Sequence, residues 1–260
     1  MIVRGTLNGT RTCTTRLTLA VAREKAAIVR RILALSGRER SDLQRYLGSP
    51  HPVLGLSVPH LRGIVRAFRK AHPGLTAPEV NAVAAAVWRG RTFDEKAVAI
   101  ALMYAHASAL DESSWNLLDT WVDECVGWGM CDGIGSGPIA EMVRSKPARF
   151  HHLMKWAASP NLWRRRIALY ALHDFVLAKD LDKPFQLILK LLYDQESWVQ
   201  RAVGTWLREC WKRDRRRTES FLRNHVKGLP KVVITVSTER APKAFREELR
   251  RNRENLAKKI

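Results

Sequence analysis

The amino-acid sequence predicts an all-α fold, a HEAT-like helical-repeat solenoid with a concave basic face. Apolar residues recur at helical spacing along most of the 260 residues. Short turns separate predicted helices of roughly ten to eighteen residues, a pattern typical of antiparallel helix pairs stacked in a row. A run of β-branched residues occurs at Lys231–Ser237. Because an isolated strand is unstable, we expect a packed connection or a helix start there.

The helices are predicted in order from their apolar spacing and their start signals. The first covers residues 19–35, where Ala22, Ala26 and Val29 follow a helical period. Thr76 and Glu79 have the spacing of a capping box, which predicts a helix that starts there and runs to residue 88. The other helices are predicted at residues 57–71, 93–108, 113–126, 138–145, 147–157, 161–177, 183–193, 196–213 and 217–226, and from about residue 240.

Two segments resemble each other at a distance of 35 residues. Trp163 with Arg166, and Trp198 with Arg201, have the same spacing, and each pair is followed by small and apolar residues. That distance is close to a helical-repeat period. The similarity therefore supports a repeat architecture.

We expect residues 1–18 to form a disordered or irregular tail and residues 19–260 to form a single domain. Residues 1–23 contain four arginines, several threonines and no acidic residue. This composition resembles an organelle transit peptide. We favour a basic tail or an early start codon, because no other feature indicates an organelle, and we expect a cytoplasmic, bacterial nucleoid-associated protein.

The chain is strongly basic. Its 45 lysines and arginines exceed its 25 aspartates and glutamates, which gives a net charge of +20 and a pI near 10.6. Neutralising phosphates releases condensed counterions, so this charge favours nucleic-acid binding; a ribosome-associated role and a basic protein-binding surface are the alternatives. Four scattered cysteines without a C-x-x-C pair argue against a zinc site and a disulfide framework, and no apolar run is long enough for a membrane span.

A glycine-rich segment around Trp128 and Asp132 is the first candidate for chemistry. The two residues are four apart, so on a helix they share one face. DNA phosphates repel a carboxylate on a binding face, which indicates that Asp132 meets developing positive charge. The structural alternative is a helix-capping Asp beside a core Trp. The glycines weaken a helix and leave open a position of Asp132 at a helix N-terminus.

Arginines and tryptophans are the other candidates. Arg165 and Arg166, in a run with Arg164, and Arg201 are candidates for phosphate contacts, since Arg suits bidentate recognition. Three successive arginines cannot all share a helix face, so we expect at least one to be only solvated. For each of the nine tryptophans, Trp206 included, core packing and stacking on nucleic acid are both open.

Several separated blocks, in the right order, make the chain resemble the AlkD-type DNA alkylation repair glycosylases from about residue 20 to 255. The blocks are Tyr46 ahead of residues 54–59 with Arg62, residues 128–132, residues 161–163 with Arg166, and residues 200–209. The resemblance implies a HEAT-like fold. It also implies excision of cationic N3- and N7-alkylated purines from duplex DNA without swinging the base into a deep pocket.

The resemblance further implies roles for individual residues. Asp132 would be the catalytic carboxylate, and Trp128 would pack against the deoxyribose of the damaged nucleotide. Arg166 would hold the phosphate beside the lesion, and Tyr46 would lie near the same site.

Two positions depart from the family pattern. Gly129 stands where the family often has Asp, and Thr205 stands where it has a second sugar-contacting Trp. Trp206 follows one place later, about 100° around a helix. Either the helix is rotated or the second aromatic wall is missing.

The expected mechanism needs few parts. An alkylated purine leaves as a neutral base, and a carboxylate with indole faces stabilises the oxocarbenium-like sugar that remains. We therefore expect no cofactor and no metal, a monomer, and duplex DNA with alkylated purines as the partner rather than a membrane. The alternative is a non-catalytic HEAT-like module that binds DNA junctions, structured RNA or a protein; the net charge argues against an armadillo-like scaffold.

Overall fold

The computed structural model describes residues 9–257, with side chains from 20 to 255, and contains helices and turns but no strand in that range. The predicted all-α helical-repeat fold is confirmed. The chain divides into two compact units, Met1–Leu117 and Leu118–Ile260, where the sequence predicted one domain over 19–260. The concave basic face stays a prediction. None of the described helices has the length and apolarity that crossing a membrane requires.

Helices of the first unit follow closely the predicted start signals. They are α1 (Gly9–Leu35), α2 (Ser41–Leu47), α3 (Val58–Ala71), α4 (Ala77–Trp88) and α5 (Phe93–Ala105). Ser57 caps α3 by accepting a hydrogen bond from the backbone of His60, and the capping box of Thr76 and Glu79 starts α4 as predicted. Buried Asp94 of α5 accepts hydrogen bonds from the backbone N–H groups of Leu54 and Leu56, at 2.6 and 2.7 Å.

Two parts of the first unit differ from the prediction. α1 begins at residue 9, so residues 9–18 of the predicted irregular tail are helical, and residues 1–8 of that tail lie outside the described residues. α2 was not predicted. It has seven residues, none of them buried, and it ends at Gly48, whose φ of 65° is left-handed. A helix of about two turns without a buried face has no apolar period to detect.

Helices of the second unit pack in a row. α6 (Glu112–Glu124) crosses the boundary between the units. It is followed by α7 (Trp128–Ile134), α8 (Ala140–Ser145), α9 (Phe150–Trp156), α10 (Leu162–Tyr170), α11 (His173–Leu177), α12 (Asp182–Leu191), α13 (Ser197–Arg213), α14 (Arg215–Asn224), α15 (Lys231–Ser237) and α16 (Lys243–Ala257). α10 packs on α7 and α13, and α13 packs on α15.

The 35-residue similarity relates neighbouring helices of this row. Trp163 and Trp198 are each the second residue of their helix, α10 and α13. Their ring centroids lie 6.0 Å apart. The two tryptophans therefore hold equivalent positions in adjacent repeats.

The β-branched segment forms a helix, which is one of the two structures that the sequence allowed for it. α15 starts after Pro230 and buries Val233 and Ile234. It packs so closely on α13 that a Cβ added to Gly204 would lie 2.6 Å from the Cβ of Val236. Burial against a neighbouring helix thus overrides the β propensity of this sequence.

Candidate active site

The arginine run of α10 is tied to carboxylates throughout. Arg164 pairs with Asp119 and Asp123, Arg165 with Asp194, and Arg166 with Asp132. The arginine side chains are 14%, 14% and 6% exposed, so none of them is merely solvated, contrary to expectation. Arg165 also donates to the backbone carbonyls of residues 159 and 160. Arg165 is thus held by an ion pair inside the protein, and the DNA contact predicted for it stays a prediction.

Asp132 and Arg166 form a bidentate ion pair between α7 and α10. Nε of Arg166 donates to Oδ1 of Asp132 at 2.7 Å, and Nη2 donates to Oδ2 at 2.8 Å. Nη1 donates to the backbone carbonyl of Trp198 at 2.5 Å, and Nη2 also reaches the hydroxyl of Tyr170 at 3.2 Å. The Arg166 guanidinium is therefore buried and held by protein partners, and the phosphate contact predicted for it stays a prediction. The Asp132 side chain keeps 18% of its surface exposed.

Glycines bring Asp132 to this position. Gly127 precedes α7 with a φ of 84°, a left-handed value that favours glycine. At the other end of α7, a Cβ added to Gly135 would lie 2.7 Å from the Cβ of Tyr170 and 3.0 Å from the carbonyl oxygen of Ile167. The absence of a side chain at Gly135 therefore lets α7 approach α10 closely. Asp132 lies within α7, so the alternative position at a helix N-terminus is wrong.

Burial and pairing act in opposite directions on the titration of this pair. Burial raises the pKa of the Asp132 carboxyl above its ordinary value, and the hydrogen bonds and charge of Arg166 oppose that rise only in part. Burial also acts to lower the pKa of Arg166, but pairing with Asp132 outweighs it and the pKa is raised. We regard the pair as ionic at neutral pH, because a guanidinium does not deprotonate in proteins and a cation at 2.7 Å favours the carboxylate.

Tyr170 connects the ion pair to α13. Burial, followed by the charge of Asp132, raises the pKa of the Tyr170 hydroxyl, while a hydrogen bond with Thr205 opposes the rise. The ring of Tyr170 packs edge-on against Trp206, with centroids 5.6 Å apart. Thr205 thus points toward the site. Trp206 packs on Tyr170 and is 5% exposed, and the contact with DNA predicted for it stays a prediction.

Two tryptophans border the ion pair on the accessible side. Trp128 is half-buried at the start of α7, one helical turn before Asp132, so the predicted shared face is confirmed. Trp198 is 36% exposed, and its ring centroid lies 5.9 Å from the guanidinium carbon of Arg166. Trp128 therefore shares a helix face with the carboxylate, and Trp198 lies near its arginine partner.

Two predicted residues remain, Arg201 and Tyr46. Arg201 is exposed on α13, and within the described part of the chain it has no ion-pair partner. Tyr46 belongs to α2 in the first unit and is 67% exposed. Its expected place near the site stays a prediction.

Sequence analysis did not assign Tyr170 and Trp198 to the site. Both were detectable in principle. Tyr170 is four residues after Arg166, on the same face of α10. Trp198 matches Trp163 in the 35-residue similarity, and α13 places it seven residues before Thr205, on the same face.

Among the described side chains, no group of three or more His, Cys, Asp or Glu residues is placed to hold a metal ion. Cys125, Cys131 and Cys210 are buried, and none of the three forms a disulfide. Burial raises the pKa of the Cys131 thiol, next to Asp132, well above its ordinary value. This thiol is therefore a poor nucleophile.

Comparison with known proteins gives one family and one fold. A family model described as DNA alkylation repair enzyme matches residues 34–240. The structure is similar to that of a protein from Enterococcus faecalis described as a predicted DNA alkylation repair enzyme, with a TM-score of 0.68 and 16% identity over 80% of this chain and 99% of that chain. It is also similar to AlkD2 from Streptococcus mutans, with a TM-score of 0.57 and 16% identity over 70% of this chain and 89% of that chain. No curated protein matches the chain.

Proposed function

The chain belongs to the DNA alkylation repair enzyme family, and from that premise we propose that it excises cationic N3- and N7-alkylated purines from duplex DNA. The observation that carries the proposal is the Asp132 carboxylate. It is fixed by a buried arginine, shares a helix face with Trp128, and is still 18% exposed. That is the arrangement expected of a carboxylate that acts on a ligand while its own geometry is held constant.

The chemistry requires little from the protein beyond this carboxylate. An alkylated purine already carries a positive charge, so the bond between base and deoxyribose breaks without protonation of the leaving group. The electron pair of the broken bond leaves with the base, and the positive charge passes to the sugar, which becomes oxocarbenium-like. A water molecule then adds to C1′ of the sugar and releases its proton to solvent. A carboxylate placed at that sugar lowers the barrier, because it interacts more strongly with the developing cation than with the ground state.

Arg166 acts in this proposal as a positioning residue. Its two N–H donors use one acceptor site on each oxygen of Asp132. An ionised carboxylate offers about four such sites, so acceptor capacity remains for a water or a sugar. The pairing also keeps Asp132 charged despite its burial.

Aromatic and cationic neighbours complete the proposed site. Trp128 and Trp198 present indole faces whose π density favours a cationic sugar or base. Trp198 stands two helical turns from Thr205 on α13 and takes the place of the missing second wall. Arg201, exposed on the same helix, is the cation proposed to hold a phosphate.

The decisive experiment is base release from duplex DNA containing 7-methylguanine, comparing wild type with Asp132→Asn. We expect the variant to bind the duplex as wild type does and to lose about 10²- to 10³-fold in rate, since a preorganised charge at the transition state is removed. Asp194→Asn is the matched control. It breaks a similar bidentate pair, to Arg165 of the same helix, at 2.7 and 3.1 Å.

The control separates chemistry from stability. Both substitutions remove one partner of a buried ion pair, and each destabilises by roughly 3 to 5 kcal/mol. Only Asp132→Asn should show this loss in rate at a temperature where both variants are folded. Release by Asp132→Asn at the wild-type rate would refute the role of Asp132.

A second candidate is a non-catalytic DNA-binding module. The ion pair itself favours it, because Arg166 neutralises the one carboxylate proposed to be catalytic. Thr205 in place of an aromatic residue is consistent with it. On this alternative, neither wild type nor Asp132→Asn releases base, while both bind duplex DNA.

A further inference from the structure

An open groove runs between α3 and α5 in the first unit, far along the chain from the Asp132 site. It encloses about 440 Å³. Its lining residues are Leu61, Arg62, Val65, Arg66, Arg69, Ala101, Tyr104 and Ala105. No carboxylate is among them, and three of the eight are arginines.

The arginines form a ridge along one side of the groove. Arg62, Arg66 and Arg69 follow one face of α3. At a rise of 1.5 Å per residue, Arg66 and Arg69 lie about 6 and 10 Å along the helix axis from Arg62. All three are exposed, and in the part of the chain that the structure describes none has an ion-pair partner. This contrasts with the run of α10, where all three arginines are neutralised.

The floor of the groove is apolar and carries one free aromatic ring. Leu61 and Val65 of α3 face Ala101 and Ala105 of α5 across it. Tyr104 is 48% exposed, and among the described residues its hydroxyl has no hydrogen-bond partner. A basic surface that only contacts water has no need of an exposed aromatic ring or an apolar floor, so these features indicate a bound ligand.

We propose that this groove binds single-stranded DNA, with phosphates on the arginine ridge and a base stacked on Tyr104. Non-specific single-strand sites combine a positive groove with aromatic side chains on which bases stack. A duplex presents phosphates and polar groove edges, whereas its base faces are hidden, so it leaves the apolar floor uncovered. An acidic peptide matches the charge but offers no ring to stack. The inference goes beyond base excision and does not depend on it.

The test measures binding of a labelled dT oligomer of about 12 nucleotides by fluorescence anisotropy. Tyr104→Ala should weaken binding about tenfold, which is the scale of one lost base stack. Tyr104→Phe should bind as wild type, because the ring remains and the hydroxyl has no partner. Arg66→Gln should weaken binding and reduce the slope of log K against log salt by about 0.7, as one phosphate contact is lost.

Two controls keep the result specific to the groove. Arg30→Gln, an exposed arginine of α1 that does not line the groove, should change the affinity little. Asp132→Asn should bind the oligomer as wild type, so a failure of the excision proposal and a failure of this one are distinguishable. Thermal unfolding confirms that each variant is folded.

Three outcomes would overturn the proposal. The first is equal binding of dT by Tyr104→Ala and wild type. The second is tighter binding of the matching rU oligomer than of dT, which would assign the groove to RNA. The third is displacement of dT by polyglutamate in the wild type but not in Tyr104→Ala, which would assign the ring to a peptide.

Discussion

At the scale of single residues, the burial of Asp132 has a consequence for pH. Its carboxyl pKa lies above the ordinary value of 3.8. On acidification the carboxylate therefore takes up a proton at a higher pH than an exposed aspartate does, and it then loses the charge that stabilises the sugar cation. We expect the rate of 7-methylguanine release, corrected for spontaneous loss, to fall on an acid limb whose midpoint lies above pH 3.8. A rate that stays constant down to pH 3.8 would contradict this.

Trp206 gives a second prediction at this scale. It is buried, and its indole Nε1 has no hydrogen-bond partner among the described residues. Trp206→Phe therefore removes volume but no hydrogen bond, and it should cost about 1 to 2 kcal/mol of unfolding free energy in urea, against roughly 3 to 5 for Trp206→Ala. Base release per folded molecule should not change. A selective loss of release would mean that the indole reaches DNA.

Arg201 gives a third prediction, on duplex binding. Among the described side chains it has no ion-pair partner, so Arg201→Gln should reduce the slope of log K against log salt by about 0.9, the value for one phosphate contact. Arg217→Gln is the control, because Asp182 already pairs with Arg217 at 2.6 Å. Equal slopes for wild type and Arg201→Gln would remove Arg201 from the DNA interface.

The sequence identified individual site residues better than their partners. Trp128 and Asp132 were predicted to share a helix face because they are four residues apart, and both lie in α7. The partners of Arg165 and Arg166 lie 29 and 34 residues away. No local pattern encodes such pairs, so arginines that looked available for phosphates proved to be held by aspartates. The same limit explains Trp206, whose burial depends on Tyr170 of another helix.

At the scale of elements, alanine substitutions at two glycines near α7 are predicted to change stability in opposite directions. A Cβ added to Gly135 would clash with Tyr170, whereas a Cβ added to Gly133 meets nothing within 4 Å. Gly135→Ala should destabilise by about 1 to 3 kcal/mol and reduce base release, because it forces α7 away from α10. Gly133→Ala should stabilise by about 0.5 to 1 kcal/mol, since glycine is a poor helix former. Thermal unfolding and the release assay measure both, and equal effects would exclude the close-approach argument.

Local start signals predicted where helices begin, whereas the elements that depend on tertiary packing were not predictable in this way. The capping box of Thr76 and Glu79 gave α4 its boundaries because all of its determinants are local. α15 required burial against α13 at Gly204, which the sequence does not display. The predicted helix 161–177 divides into α10 and α11 at Ala171 and Leu172, and nothing in the local sequence explains the break.

At the scale of the whole molecule, net charge and free charge are different quantities. The chain carries 45 basic residues, but the arginines of α10 are consumed by ion pairs while those of α3 are not. Composition alone therefore predicted a nucleic-acid partner and could not locate its contacts. Composition and charge also gave no signal for the division into two units, since both units are built from α-helices.

The buried pairs of α10 respond to ionic strength differently from the exposed arginines. Salt screens exposed charges strongly and half-buried pairs weakly. Raising the salt concentration should therefore release DNA from the protein at a lower ionic strength than is needed to weaken the ion pair between Asp132 and Arg166. Protein eluted from a DNA column at high ionic strength would then emerge with its carboxylate still aligned, ready to act again once the salt is diluted.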